Sequence, residues 1–531
     1  MEPDHALVPE LRSLTVAARK AELSRERERA VGASRRRFLG AALVGLSSKA
    51  ERPIAGSFVN ESDRAGHRLR SRGPFRAPVE EVRVPLVIVG GGMAGLSAAR
   101  RLVKRGFRDF VLLEMEERLG GVSRWGENEI TAYPWGAHYV PVPGPKSVLI
   151  RELLEDLGVL VNGRFEERYL CFSPQERLYL HGRWQEGLEP AVGVTARHRE
   201  QYRRFEERIE RFRASGQFTI PMETGARPSP LDRVSMADWL RQEGLDSPYL
   251  SWYVNYACRD DYGAQAEDVS AWAGIHYFAA REPEEKGPLT WPEGNGWIVR
   301  RLQERLARYA RTGAMVYRIA PQGQRWRVLT EGAAYLAEAV IFAAPTFLLP
   351  YLVENAPPMG RFEYSPWLTA NLTLERPPRQ GDLEPAWDNV IYDSPALGYV
   401  VATHQSLRSR SDRTVWTFYW ALAHGPSARN RKLLLDTDWH YWKEAILNDL
   451  AWAHPDIRAC VSRIDIMRMG HAMVRPTVGF IFSEERRRLA ALDGGLLLAN
   501  SDLSGFSIIE EAQYRGVRAA ERALERLGGR S

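Results

Sequence analysis

The apolar positions of the chain fall into several distinct rhythms. Leu86–Val89 is an unbroken apolar run of strand length, the pattern of a strand buried on both faces. Directly after it, Leu96, Ala99 and Leu102/Val103 recur at helical spacing, and Gly106 is placed to close that helix. A second apolar run, Phe110–Leu113, ends at Glu114. Val340–Ala344 repeats the buried-strand pattern. The longer apolar stretch around it, 334–353, is broken by Pro345 and Pro350 and therefore reads as strand and turn, not as a membrane span. Residues 365–425 alternate in the strand manner, as in "DRTVWTFYWAL". Residues 144–293 are mainly helical in pattern. Within them, 195–215 is so charged that it reads as a solvated helix face. The aromatic-rich stretches 249–262 and 272–278 read as core, with a substrate pocket as the second reading. Near the end, an apolar strand runs up to an acid, Asp502, followed by Gly505 and a helix from about Ile508.

At 531 residues the chain suits two interleaved domains better than one core. Its formal charge is +6, but the first 50 residues carry +4 of it. The rest is nearly balanced, so a nucleic-acid partner, which needs concentrated positive charge, is not expected. Phe38–Leu46 is a nine-residue run of apolar residues and Gly behind Arg35, Arg36 and Arg37. A bilayer span needs about 20 residues, so an anchor is disfavoured. The stretch "SRRRFLG" resembles the twin-arginine (Tat) export signal, with Gly40 where Lys is common. That resemblance implies a signal peptide over 1–50, cleavage after Ala50, the Tat translocase as a partner and a periplasmic or otherwise exported location. An amphipathic basic helix is the other reading. Residues 51–83, rich in Arg, Gly and Pro, read as an extended linker or strap without a chemical role.

Cys171, Cys258 and Cys460 are isolated, with no CxxC pair, and read as small buried apolar residues. HExxH, GKS/T and GxSxG patterns do not occur, so zinc, phosphoryl-transfer and serine-hydrolase chemistry have no support, and no metal site is expected.

The strongest constellation joins the first strand to the first helix. Gly90-x-Gly92-x-x-Gly95 follows Leu86–Val89 at once, and Glu114 closes the second strand 19 residues past Gly95. Gly90 permits the tight turn, Gly92 lets a pyrophosphate approach the backbone, and Gly95 lets helix and strand pack closely. Free N–H groups around Met93 and Ala94, with the positive end of the helix dipole, suit phosphates. Glu114 suits a ribose and repels a 2′-phosphate. These residues together define a dinucleotide site.

Four residues after Glu114 comes "RLGG", Arg118 to Gly121, a second glycine pair that an NAD site does not require. Here the chain resembles the flavin-dependent amine oxidase and phytoene desaturase superfamily, whose members run this backbone along FAD. Where the family usually places an Arg after the glycines, this chain has Val122, and Arg124 follows two residues later. "WGAHYV" resembles the next family segment, in which Gly136 and Ala137 pass beside the flavin ring. "GAMVYRIAPQGQRWRV" is similar to the strand pair whose Val, here Val316, meets the adenine. In the terminal run, the resemblance puts Asp502 at the ribityl–pyrophosphate part and the helix start around Ile509 at the flavin pyrimidine, where a helix dipole favours negative charge on the reduced ring.

The resemblance implies an α/β fold: a Rossmann-type FAD-binding domain built from discontinuous segments, interleaved with an α+β substrate domain. The cofactor segments are 84–143, 294–353 and 471–531. Residues 144–293 form a mainly helical substrate or cap region, and 354–470 form the substrate-domain sheet. Gly294-Asn295-Gly296 lacks a third glycine and a preceding strand, so it reads as a loop-to-helix turn. Without a second nucleotide motif, electrons would leave to oxygen, a quinone or another carrier. Family amine oxidases commonly hold a Lys near flavin N5, on a strand like 367–375; Asn371 stands there in this chain, which counts against ordinary amine oxidation and is compatible with a desaturase-like branch. His138 and Phe506 are pocket candidates, each with a core reading beside it. Asp260 and Asp261 read first as a solvated loop and second as an acid pair. Three functions stay open: an exported FAD-dependent oxidoreductase acting on a C–N or C–C bond of a small or lipid-like molecule, a flavin-binding partner or assembly protein without turnover, and an NAD-dependent dehydrogenase.

Overall fold

In the computed structural model, the residues described are 53–59, 63–281, 287–379, 381, 383–406 and 412–528. The twin-arginine stretch and the whole 1–50 segment lie outside them. In chain order, the elements that position the site begin with strand β1 (Leu86–Val89), helix α1 (Met93–Lys104) and strand β2 (Phe110–Leu113). Strands β3 (Glu176–Leu180) and β4 (Arg183–Glu186) follow, then helices α2 (Ala196–Ala214), α3 (Pro248–Tyr262), α4 (Ala271–Ala279) and α5 (Gly296–Leu306). Next come β5 (Ala310–Arg311), β6 (Ala339–Phe342), β7 (Tyr364–Leu374), β8 (Asp388–Ile391), β9 (Gly398–Val401) and β10 (Thr414–Ala421). Helix α6 (Trp439–Leu450), β11 (Val461–Val474), β12 (Leu496–Leu498) and helix α7 (Ile509–Gly528) complete the set.

A five-stranded parallel sheet has the order β5-β2-β1-β6-β12. It takes strands from the start, the middle and the end of the chain. β1, β2 and β6 are buried at every position, the reason their sequences carry no polar alternation. Helix α1 leaves β1 through the glycine turn and packs on α7. At the crossing, a Cβ on Gly516 would lie 2.1 Å from the Ala94 carbonyl oxygen, so only glycine allows that approach. The amphipathic face of α7 (Val517, Ala519, Ala520, Ala523) is buried against this layer.

A seven-stranded sheet of order β4-β3-β8-β9-β10-β7-β11 forms the second body. β7 and β10 are buried along their whole length. Leu368, Ala370, Leu372 and Leu374 of β7 pack with Trp442 and Leu447 of α6 in one cluster, which leaves Trp367, Thr369, Asn371 and Thr373 on the opposite face. A third cluster joins α2, α3 and α4: Tyr202, Phe205 and Ile209 form the apolar stripe of α2 and pack with Trp239, Leu250 and Trp272. Fully burying each such large apolar side chain stabilises the fold by roughly 1.5–3 kcal/mol. Thr195 caps α2 by accepting from the His198 N–H, so the charged helix has a polar outer face and a buried inner one.

Three expectations need correction. Residues 51–83 are not simply extended: residues 55–59 pair in parallel with the edge of β11, Asp63–Arg70 is a helix, and Glu80–Arg83 pairs with Ala333–Ala337. The Arg68–Glu331 ion pair and the Phe75–Tyr317 stack at 4.5 Å fix this strap to the nucleotide-binding body. The region 144–293 also contributes β3 and β4 to the large sheet, because the alternating 176–186 run is too short to stand out beside helices. The 470/471 boundary falls inside β11. All three cysteines are free and buried, and no helix among the described residues is long and apolar enough to cross a membrane.

Candidate cofactor cradle and adjoining chamber

The glycines after β1 do different physical jobs. Gly90 has φ +107°, and a Cβ on Gly95 would lie 1.9 Å from the Gly90 carbonyl oxygen; both positions exclude a side chain. Gly92, the N-cap of α1, is unlike them: its backbone is extended, and a Cβ there would meet only the Gly121 Cα, at 3.9 Å. The second glycine turn thus faces the first. Gly92 and Gly120 form a parallel bridge, the Gly120 N–H donates to the Gly91 oxygen at 2.9 Å, and Gly120 and Gly121 both have positive φ. Met93 and Ala94 are buried in the first helical turn, where N–H groups have no intrahelical acceptor. Two glycine backbones and a helix N-terminus make a cradle without side chains, suited to a pyrophosphate.

Glu114 is buried at the rim. Its Oε2 accepts from the Gly91 N–H at 2.6 Å and its Oε1 from the Glu116 N–H at 2.8 Å, leaving a lone pair on each oxygen for a ribose hydroxyl. Burial pushes its carboxyl up, opposed by these two N–H bonds. Arg118 is exposed at the turn. Arg124 lies on the second glycine turn: its Nε donates to the Gly121 oxygen at 3.0 Å and its guanidinium lies 3.5 Å from Glu116. Val316 is buried in the cluster that also holds Val87 and Val89, just past the point where the Ala314 N–H meets the Glu114 carbonyl oxygen.

At the far end of the sheet, Asp502 is buried beyond β12. Its Oδ2 accepts from the Thr346 N–H and the Tyr364 hydroxyl, both at 2.9 Å, and burial raises its carboxyl. Ile509 opens α7. Gly136 and Ala137 belong to a turn held by the Ala137 N–H on the Val122 oxygen; a Cβ on Gly136 would lie 2.3 Å from that oxygen. The chain therefore brings Gly92, Gly120, Gly121, Glu114 and Gly136 onto connected turns beside β1.

Next to these turns, His138 stacks on Tyr419 at 4.6 Å and meets Trp387 at 5.5 Å, while the Tyr419 hydroxyl donates to the Gly136 oxygen at 2.9 Å. Burial lowers the His138 imidazole to about 4, so it is neutral near pH 7. His138, Tyr139, Tyr277, Asp260, Arg281 and Asp388 are each partly buried.

Sequence reading offered one acid pair here, Asp260 with Asp261, and only as its second reading. Asp260 and Asp261 are not a solvated loop: they occupy the last turn of α3. Asp261 is buried, and both its oxygens accept from Arg281, at 2.9 and 3.1 Å. Burial, then repulsion from Asp261, raises Asp260 to about 7. Burial and the charges of Glu176 and Asp260 hold Asp388 well above the ordinary range. Glu510, in the first turn of α7, is raised to about 7 by burial, and its Oε2 has no hydrogen-bond partner.

Two other candidates are structural. Phe506 stacks on His276 at 4.3 Å within the helical core, so its pocket reading gives way to the core one. Asn371 is saturated: its Nδ2 donates to the Pro134 oxygen at 3.0 Å and its Oδ1 accepts from Thr417 at 2.7 Å.

The architecture is that of a Rossmann-like dinucleotide-binding protein, and comparison with known proteins agrees. The NAD(P)-binding Rossmann-like domain family matches residues 88–157. Polyamine oxidase 2 of Arabidopsis thaliana is 27% identical over 309 residues, 54% of this chain and 54% of that protein. Pseudooxynicotine dehydrogenase of a Pseudomonas species is 37% identical over 91 residues, 17% of each chain. Across these two and a Baeyer-Villiger monooxygenase of Penicillium patulum, the chain spans from 16% to 54% of the relative's length. Putrescine oxidase bound to putrescine superposes with a TM-score of 0.63 at 16% identity, covering 84% of this chain and 100% of that one. Cyclohexylamine oxidase from Brevibacterium oxydans IH-35A gives 0.64 at 15%, covering 84% and 99%. The chain shares the mixed α/β fold of these two oxidases.

Proposed function

We propose that this protein is an exported FAD-dependent oxidoreductase that removes a hydride from the carbon beside the nitrogen of a small amine. The observation that carries the amine reading is that, among the described residues, the acids Asp260, Asp261 and Asp388 lie close to the aromatic group of His138, Tyr419 and Trp387, with Asp261 paired to Arg281. Such a lining favours a cation with an apolar body. Putrescine oxidase, cyclohexylamine oxidase and polyamine oxidase act on substrates of that chemistry, as their names state.

The residues present fit FAD. Gly92, Met93, Ala94, Gly120 and Gly121 would hold the pyrophosphate, Glu114 a ribose and Val316 the adenine. Gly136, Ala137, Asp502 and Ile509 would border the ribityl and ring end. The bound flavin supplies the two-electron acceptor. The chain's own residues do the rest. His138, Tyr419 and Trp387 exclude water from the reacting carbon, and the Tyr419–Gly136 bond fixes that wall to the ring-side turn. Asn371, bonded on both sides, moves no proton. The electrons then pass to oxygen, a quinone or another carrier.

Anaerobic titration with a panel of amines, polyamines and carotenoid-like alkenes tests the reading. Bleaching of the flavin by an amine is expected; indifference to the whole panel contradicts it and favours a flavin-binding partner protein, the reading that the saturated Asn371 supports. For export, Arg35→Lys with Arg36→Lys is expected to trap flavin-loaded precursor inside the cell, and normal export of that variant would contradict the signal. FAD needs segments from both ends of the chain, so it is loaded on a folded cargo.

A further inference from the structure

Away from His138 and its neighbours, the described residues enclose an open cleft with a volume of about 1080 Å3. Its walls come from three parts of the chain. They are the stretch after β6 that holds Phe347 and Tyr351, the loop of Asp268 behind α3, and the segment after β10 that starts the helix Ser427–Asp436. Tyr364 of β7 and His471 of β11 join them. None of the lining residues belongs to the group around His138. The cleft is large enough for a small organic molecule, whose sites typically measure roughly 300–1000 Å3.

Its two sides are unlike. One is apolar: Phe347, Pro350, Tyr351, Met359 and Phe362 line it, and Tyr351 is 39% exposed. Phe347 stacks on His471 at 4.2 Å, and these rings lie 5.2 and 5.8 Å from that of Tyr364. The other side is charged, but most of its charge is spent internally. Arg475 donates to Asp268 at 2.6 Å and to the Ser427 hydroxyl at 2.9 Å, and it lies 3.5 Å from Glu363. Glu267 is exposed to solvent. Arg431 is different. Its Nη1 donates to the Tyr364 carbonyl oxygen at 3.2 Å, and the rest of its five-donor fork meets no acceptor among the described residues. Such a lining suits an uncharged ligand with a flat apolar ring and an acceptor oxygen, because an ion would compete with the Arg475 pairs.

The cleft also reaches the cofactor end of the sheet. The Tyr364 hydroxyl donates to Asp502 Oδ2, the oxygen that also takes the Thr346 N–H, and Phe347 follows Thr346 in the chain. With Asp502 bordering the ribityl part of FAD, a single side chain, Tyr364, stands between cofactor and cleft. Amine oxidation leaves two electrons to be removed there. Oxygen needs no cleft of this size, and a carrier protein would lie on a broad face instead of entering a concave one.

We infer that this cleft binds the electron acceptor and that the acceptor is a quinone, its ring along the side of Phe347, Tyr351 and Phe362 and a carbonyl oxygen accepting from Arg431. The overall exchange is amine plus quinone giving imine plus quinol. The amine loses two electrons and two protons, one proton from carbon and one from nitrogen, and a C=N bond forms. The quinone gains two electrons and two protons, and its two C=O groups become C–OH. Water at the open mouth supplies and takes up protons. The inference rests on the flavin reading above; the amine is needed only as the source of electrons.

The test uses holoprotein and 2-methyl-1,4-naphthoquinone. In equilibrium dialysis, without turnover, wild type is expected to bind one equivalent at micromolar concentration. Ala428→Trp, at an exposed lining position in the first turn of its helix, fills the cleft and should weaken binding at least tenfold. Arg431→Leu removes the free donors and should weaken it roughly fivefold. Val161→Trp, 42% exposed on a hairpin outside the cleft, should bind as wild type does. With the flavin reduced by one equivalent of dithionite, reoxidation by the quinone should saturate with concentration in wild type. It should slow at least tenfold in Ala428→Trp, while reoxidation by oxygen stays equal in the two proteins. Quinone binding and reoxidation that neither Ala428→Trp nor Arg431→Leu alters overturn the inference. So does a flavin that only oxygen or a carrier protein reoxidises, and both results leave the amine reading intact. A purified protein that retains no flavin overturns both.

Discussion

The cradle and the chamber are built on opposite plans. The cradle is mainly backbone: Gly92 and Gly121 face each other, and the acid at its rim, Glu114, is tied to the Gly91 and Glu116 N–H groups. The chamber is side chain: His138 stacks on Tyr419 and meets Trp387, and Asp260 and Asp388 lie near Tyr419. A backbone site is encoded by what is missing from a short stretch, so glycines at fixed spacing announce it. A side-chain site is encoded by residues whose separation in sequence means nothing until the chain has folded.

Four substitutions separate the plans, from the largest effect to the smallest. Gly95→Ala puts a Cβ 1.9 Å from the Gly90 oxygen, backbone that cannot give way. A loss of roughly 3 kcal/mol or more, with no flavin retained, is expected in denaturant unfolding with absorbance of the purified protein. Asn371→Leu leaves the Pro134 oxygen and the Thr417 hydroxyl buried without their partner, and about 1–3 kcal/mol should be lost while the flavin content of the folded fraction is unchanged. A parallel fall in flavin would give Asn371 a cofactor role that its saturated bonds deny.

Asp260→Asn is expected to stabilise the protein above pH 7, by on the order of 1 kcal/mol. Because Asp260 is raised to about 7, the folded chain binds its proton more tightly than the unfolded chain does. This residue therefore weakens the fold as pH rises from the ordinary carboxylate range through about 7. His138 and His276 act in the opposite sense: both are lowered to about 4 by burial, so the unfolded chain binds protons first and stability falls as pH drops from 6.5 towards 4. Thermal midpoints of wild type and Asp260→Asn across pH 4 to 9 should converge at the acid end and part at the alkaline end. Tyr364→Phe removes one of the two donors on Asp502 and should cost about 1 kcal/mol, with the Thr346 N–H keeping the carboxylate in place.

Sequence patterns reached the cradle because β1, β2, the glycines and Glu114 lie within 29 residues, where local rules of strand, turn and helix suffice. They reached Asp502 through the strand and helix that flank it. Beyond the pair Asp260/Asp261 they did not reach the chamber, whose acids stand at positions 260, 261, 388 and 510 and are joined by tertiary packing. Asp261 looked solvated because it stands at the end of an aromatic-rich stretch, just before a glycine; its hidden partner was Arg281, twenty residues on. Phe506 looked like a pocket residue because it neighbours the start of α7, yet its ring is taken up by His276 and Trp272. The strap, rich in Arg, Gly and Pro, carried no strand or helix pattern, and its order comes from an edge of β11 and from residues 317–337, hundreds of residues away in sequence.

Gly92→Ala tests the account most directly. The extended backbone at Gly92 accepts alanine, and the new Cβ enters only the gap facing Gly121, so the flavin-free protein should melt within a few degrees of wild type. The pyrophosphate, by contrast, would meet that methyl group, and flavin affinity should fall at least tenfold, a loss of about 1.4 kcal/mol or more. Full flavin retention by Gly92→Ala, or a loss of flavin that occurs only with loss of the fold, would contradict the cradle.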